Sequence, residues 1–217
     1  MPEAIKQNQT SYFPHRVHAD AGEYAAGYLG QLASAASTLD FSQVARAGEI
    51  LTAVARRGGM IFSCGNGGSA AIANHLVCDC LKGVRTGTSL RPRVQSLSAT
   101  VELVTAIVND IGSEEMFSYQ VTSLARPGDV LIAISSSGAS PNIVAAIKEA
   151  KACGMQTIAM TGFGGGQAAK LADVSLHVDA HNYGIVEDTH QSLMHILAQF
   201  MRHSNLDEPD QLSRLKF

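Results

Sequence analysis

The chain is predicted to be an α/β protein, with parallel strands in one sheet sandwiched by helices. Three observations predict it. Five short apolar runs alternate with amphipathic stretches, and alternating strand and helix implies parallel strands with crossover helices. The runs do not alternate apolar and polar residues strictly, which fits strands covered on both faces. Glycine- or serine-rich turns follow three of the runs, and in such sheets ligands bind beyond the carboxyl ends of the strands.

Each element follows in order. Residues 1–20, "MPEAIKQNQTSYFPHRVHAD", read as a loose arm. Residues 21–57 are rich in alanine and leucine and read as one or two helices broken near Thr38–Ser42, where Asp40 or Ser42 can cap the second. The rhythm changes at Gly59. "MIFSC" (60–64) precedes a helical 68–82, and "VQSLS" (94–98) a helical 100–108. A further helical stretch, Glu114–Leu124, leads to "VLIAIS" (130–135) and a helical 141–152. "QTIAMT" (156–161) precedes a short helix at 167–172, and "VSLHV" (174–178) a long one at 186–203. Residues 206–217 read as a polar tail, which leaves 21–205 as a single domain.

Composition narrows the function classes. Of 217 residues, 46% are hydrophobic and 16% charged, enough for a sizeable core. A formal net charge of −3 argues against a nucleic-acid surface, which needs a basic patch. No run of 18 apolar residues exists, so no transmembrane helix is expected, and the polar N-terminal stretch has no apolar signal core, so export is not expected. Cys78-x-Cys80 has neither zinc-ribbon nor thioredoxin spacing. Cys64, Cys78, Cys80 and Cys153 are expected as reduced thiols of a cytoplasmic protein.

The loops carry the chemistry. In "GNGGS" after the first strand, Gly65, Gly67 and Gly68 let backbone approach a ligand, and the helix that follows offers free N–H groups to an anion. Asn66 and Ser69 add side-chain hydrogen bonds. The alternative is a tight turn that binds nothing. "GNGGSA" also fits the dinucleotide fingerprint, but the second strand ends in "LSAT" with no carboxylate for a ribose, so no nucleotide cofactor is expected. "ISSSGASPN" (134–142) sets the hydroxyls of Ser135, Ser136, Ser137 and Ser140 at the mouth of a helix. They can wrap a phosphate without a lysine. The alternative is simple capping by Ser140. Two such loops on one sheet favour a small phosphorylated ligand.

"CGNGGSA" (64–70), "NDIG" (109–112), "GDVLIAISSSGASPNIVAAIKEAKACGM" (128–155), "TGFGGG" (161–166) and "HQSLMHIL" (190–197) occur together and in order. Together they resemble the sugar isomerase (SIS) domain, and within it the phosphoheptose isomerases. The resemblance implies a cytoplasmic homotetramer with a five-stranded flavodoxin-like sheet and active sites at subunit interfaces. It implies interconversion of D-sedoheptulose 7-phosphate and D-glycero-D-manno-heptose 7-phosphate. On the same resemblance, Ser135, Ser136, Ser137 and Ser140 form the phosphate loop. Asn66, Gly67 and Gly68 contact the sugar, and Asn109 and Asp110 match an Asn-Asp pair. His75 matches a metal ligand, and His195 a catalytic, metal-binding histidine. Three positions depart from the pattern: Asp79 where a glutamate is usual, Glu187 where a glutamine is usual, and "LSAT" (97–100) where a threonine-aspartate pair is common.

Aldose–ketose isomerisation moves a proton between adjacent carbons. It needs a base, an acid for the carbonyl oxygen and a group that stabilises the oxyanion. His75 and Asp79 are four residues apart and share one helix face. Glu187, Gln191 and His195 follow at steps of four, within about 80° around a helix. Glu187 and His195 are separated by a rise of about 12 Å, so either the helix begins after Glu187 or the two groups bracket a substrate. The roles expected are Glu187 or His195 as proton-transfer base, with Asp79 and His75 as metal ligands or orienting groups. Zinc, held by His75, Asp79, Glu187 and His195, suits that donor set. Two other readings stay open: a non-catalytic phosphosugar-binding or protein-partner regulator, and an isomerase for a different phosphosugar.

Overall fold

The five apolar runs form five strands, in a computed structural model that describes residues 12–214. Residues 1–11 of the expected arm and 215–217 of the expected tail lie outside the described residues. The strands are β1 (Met60–Gly65), β2 (Arg93–Ser96), β3 (Val130–Ser135), β4 (Gln156–Thr161) and β5 (Val174–His177). All pair in parallel, in the order β2-β1-β3-β4-β5. This is the flavodoxin-like order, and its topological switch lies between β1 and β3. The glycine loop leaves β1 and the serine loop leaves β3, so the crevice opens between them.

Among the described residues eight α-helices cover the sheet: α1 (Ala21–Ala36), α2 (Phe41–Arg56), α3 (Gly68–Cys78), α4 (Val101–Asp110), α5 (Ser118–Leu124), α6 (Pro141–Ala152), α7 (Gly166–Leu171) and α8 (Tyr183–His203). Strand side chains alternate between two cores, as the pleat requires. Ile61, Ile132, Ile134, Ile158 and Met160 meet α2, α3 and α8. Phe62, Cys64, Leu131 and Ala133 meet Val121 of α5 and Ile143 and Ile147 of α6 on the other face. Each such side chain contributes roughly 1.5–3 kcal/mol on burial. The thiols of Cys64 and Cys80 belong to this packing, and burial pushes both up to about 12.

Caps mark the helix starts. Asp20 accepts from Glu23 N, and Asp40, of the two cap candidates at the helix break, accepts from Ser42 N at 2.9 Å. The Asn182 side chain accepts from Ile185 N and starts α8 at Tyr183, three residues before the predicted 186. The same amide donates to Phe13 O, and the Phe13 ring is buried against Tyr24 and Tyr28, so this part of the arm is tied to the domain. At the other end, Leu206 bridges Thr88 and Asp207 accepts from Ser89.

One helix differs from its predicted form. The helix expected at 68–82 ends at Cys78 and continues as a wider π-helical turn over Asp79–Val84. Gly83 weakens regular helix there by about 1 kcal/mol relative to alanine. Arg202 of α8 donates to Thr86 O at 2.8 Å and anchors the end of the turn. Such turns are frequent at functional sites, and this one begins at a candidate site residue.

Candidate active site

The glycine loop has a conformation that its sequence dictates. Gly67 sits at φ +54°, ψ −122°, where a Cβ is strained, and immediately precedes α3. Behind it, the Ser98 hydroxyl donates to Gly65 O at 2.9 Å, and Gly65 N donates to the Ser98 Oγ at 3.1 Å. A residue of the "LSAT" stretch thus holds the loop's base. Asn66 and Asn142 exchange amide hydrogen bonds of 3.0 and 2.9 Å, which tie the glycine loop to the first turn of α6. Nothing in the sequence singled out Ser98 or Asn142 for these contacts.

The serine loop is ordered by its own backbone. Gly138 N donates to Ser135 O at 3.0 Å, and Ala139 N to the Ser137 hydroxyl at 3.2 Å. Pro141 opens α6, and the Ser140 side chain makes no cap bond, so capping does not account for that hydroxyl. The Ser136 hydroxyl is buried and has no hydrogen-bond partner among the described residues. Leaving a buried polar group unpaired costs about 1–3 kcal/mol. A bound anion would satisfy it.

Ser135, Ser136, Ser137 and Ser140 line a pocket of about 130 Å³ with Asn66, Ser69 and Glu187. Drug-sized ligands occupy roughly 300–1,000 Å³, so this pocket takes one end of a ligand. Its lining contains no lysine or arginine; it offers serine hydroxyls and the Asn66 amide, with the Glu187 carboxylate at one side. Tyr183, absent from the predicted set, also lines it. The Glu187 carboxyl packs on Gly68: its Cδ would lie 2.6 Å from a Cβ built there. A carboxylate at the first residue of a helix is favoured by the helix dipole. Asn109 and Asp110 are not among the lining residues; they lie exposed at the end of α4, where Asn109 donates to Asp110 at 2.6 Å.

A second group lies further along α8. His75, Asp79 and His195 each offer a ligand atom within 4.8 Å of the others. His75 Nε2 is 3.3 Å from Asp79 Oδ1, and His195 Nδ1 is 2.8 Å from Asp79 Oδ2. Both imidazoles are part-exposed, so the group is reachable from solvent. Two imidazoles and a carboxylate are a donor set that zinc takes at catalytic sites, with a position left open for a ligand. The residues present therefore fit a divalent ion. Glu187, expected in the same set, is not among these grouped atoms: α8 is regular from Tyr183 onward, and eight residues of rise separate the Glu187 and His195 backbones by about 12 Å along its axis, the spacing expected for two groups that bracket a substrate. Gln191, to which the sequence reading gave no role, reaches both histidines, at 3.3 Å from His75 Nδ1 and 3.0 Å from His195 Nε2.

His190 has a different character. It is fully buried in α8 beside the Thr161 main chain, and burial holds it down at about 4. It is a packing residue.

The SIS domain profile matches residues 23–162. A phosphoheptose isomerase of Nitratidesulfovibrio vulgaris is 43% identical over 149 residues, covering 68% of this chain and 70% of that protein. Phosphoheptose isomerase 1 of Campylobacter jejuni is 38% identical over 169 residues, covering 78% and 90%. The structure of phosphoheptose isomerase GmhA from Neisseria gonorrhoeae superposes with a TM-score of 0.77 at 32% identity, covering 84% of this chain and 98% of that one. Five parallel strands, a serine loop and a glycine loop at the switch point, and these similarities together place the chain in the SIS domain family, among the phosphoheptose isomerases.

Proposed function

We propose that the chain interconverts sedoheptulose 7-phosphate and D-glycero-D-manno-heptose 7-phosphate by proton transfer between the first two carbons. The observation that carries this reading is the position of Glu187. It lines the serine pocket, whose buried Ser136 hydroxyl lacks a partner, and it stands two turns before His195 on one helix. Ser135, Ser136, Ser137 and Ser140 bind the phosphate, and Asn66 and the main chain of Gly67, Gly68 and Ser69 hold the sugar. Both ring nitrogens of His195 are engaged, by Asp79 and Gln191, whereas Glu187 faces the pocket. Glu187 and His195 bracket the substrate from two turns apart on α8, and of the two Glu187 is read as the base that takes the carbon-bound proton. His75, Asp79 and His195 hold a divalent ion, zinc by donor type. Bound there, it supplies an electrophile for the substrate's carbonyl oxygen.

Assembly belongs to the same reading. Val101, Leu103, Val108 and Ile111 are exposed along α4, where Ile107 is the buried residue. A helix apolar on its outer side supports packing against a second copy, as in the homotetramer that the sequence resemblance implies. In that arrangement Asn109 and Asp110 face a neighbouring subunit's substrate. Among the described residues no helix is long and apolar enough to cross a membrane, and the free thiols suit a cytoplasmic setting.

The direct test incubates the protein with sedoheptulose 7-phosphate, with and without zinc, and follows aldose formation. Turnover that falls about 10²–10⁴-fold in Glu187→Gln is expected for loss of a general base. Full turnover in Glu187→Gln removes it from the mechanism. Full turnover in metal-free protein removes the ion. Tight binding of the sugar phosphate without turnover points to a sensor.

A further inference from the structure

Gln191 stands between the two halves of the site. It lies on α8 one turn after Glu187 and one turn before His195. Its amide nitrogen is 3.3 Å from His75 Nδ1 and 3.0 Å from His195 Nε2. Asp79 takes the opposite nitrogens of the same two rings, at 3.3 Å from His75 Nε2 and 2.8 Å from His195 Nδ1. The four side chains close a ring, with a carboxylate on one side and an amide on the other.

Hydrogen-bond accounting assigns the protons in this ring. A carboxylate only accepts, so in neutral imidazoles the nitrogen facing Asp79 carries the hydrogen. The other nitrogen of each ring then presents a lone pair, and the Gln191 –NH2 has two hydrogens to give, one for each histidine. A cation beside Asp79 reverses this. A ligating imidazole nitrogen carries no hydrogen, so the hydrogen sits on the nitrogen that faces Gln191. Both histidines then direct N–H groups at the amide, and its –NH2 opposes them. Half a turn of the amide exchanges nitrogen for carbonyl oxygen at nearly the same point, and that oxygen has two lone pairs to accept both.

We propose that Gln191 is a positioning residue of the metal centre: its amide oxygen accepts from His75 and His195 and holds their opposite nitrogens toward Asp79 and the ion. The amide turns with the state of the centre, donating to both rings when the ion is absent and accepting from both when it is present. Outer partners of this kind fix tautomer and ring orientation, and their loss costs about 10–100-fold in metal affinity. The inference rests on His75, Asp79 and His195 being the metal site.

The test measures zinc affinity of the full chain by competition with a chromophoric chelator. Parent, Gln191→Leu, Gln191→Glu and His195→Ala are compared. Gln191→Leu is expected to bind zinc about 10–100-fold more weakly, while the metal-free protein still folds, with its melting temperature lowered only by the loss of the two amide hydrogen bonds. Gln191→Glu keeps two acceptor oxygens and is expected to bind at least as tightly as the parent. Imidazole nitrogen spectra give a signature that packing alone would not move. Without metal the hydrogens sit on His75 Nε2 and His195 Nδ1; zinc shifts them to His75 Nδ1 and His195 Nε2. Parent-like affinity in Gln191→Leu, alongside loss of zinc in His195→Ala, overturns the role of Gln191 alone. Parent protein that binds no zinc overturns the metal site itself.

Discussion

Ser136 carries opposite consequences for stability and for binding. Its hydroxyl is buried without a partner, a cost to the free protein, and it lines the pocket proposed for phosphate. Ser136→Ala should therefore raise the melting temperature of the free protein slightly, because an unpaired polar group is removed. The same change should weaken substrate, since a hydrogen bond to a charged group contributes about 1.5–3 kcal/mol. A KM increased on the order of 10–100-fold, with a melting temperature equal to or above the parent's, is the expected pair of results. A lowered melting temperature with unchanged KM would make Ser136 a structural residue. Asp79 presents a related contrast. Its short carboxylate spans both histidines, so the shortening from glutamate leaves the contact intact in this fold.

Between the elements, two loops meet backbone to backbone. Gly138 of the serine loop has φ +63°, and a Cβ there would lie 2.6 Å from the Gly165 carbonyl carbon in "TGFGGG". Ala168 N donates to Gly138 O at 2.9 Å, and Gly162 N to Ser136 O at 2.8 Å. Gly138→Ala adds both strain and a main-chain clash. A loss of about 3 kcal/mol or more in urea unfolding, with weakened phosphosugar binding, is expected. Parent-like stability would mean that the loops separate readily. The sequence revealed "SSSGAS" and "TGFGGG" as separate ligand loops; their contact depends on β3 and β4 being neighbours, which no local pattern states. The strands were legible because each is a short apolar run between turn signals. Three things were not. The π-helical turn at Asp79–Val84 has no residue signature. The separation of Glu187 from the metal group depends on where α8 starts. Gln191 was visible on the right face, yet one of its two partners, His75, comes from α3, more than 100 residues earlier.

Acid should act on the whole molecule through His190. Its folded value is about 4 against an ordinary 6.5, so the unfolded chain binds the extra proton between those values. Above pH 6.5 this group leaves stability unchanged; stability then falls as pH drops toward 4, by on the order of 3 kcal/mol in all. His190→Leu removes that slope. Melting temperatures taken from pH 7 to pH 5 in chelator should fall less in His190→Leu than in the parent; equal slopes would show that other groups govern the acid response. The serine loop is fastened to "TGFGGG" through main-chain atoms, while the groups set against the rest of the ligand are side chains on α3 and α8. Selection can therefore rewrite one without loosening the other. A lineage could exchange residues 79, 187 and 191 to accept a new sugar while inheriting its phosphate-binding loop unchanged.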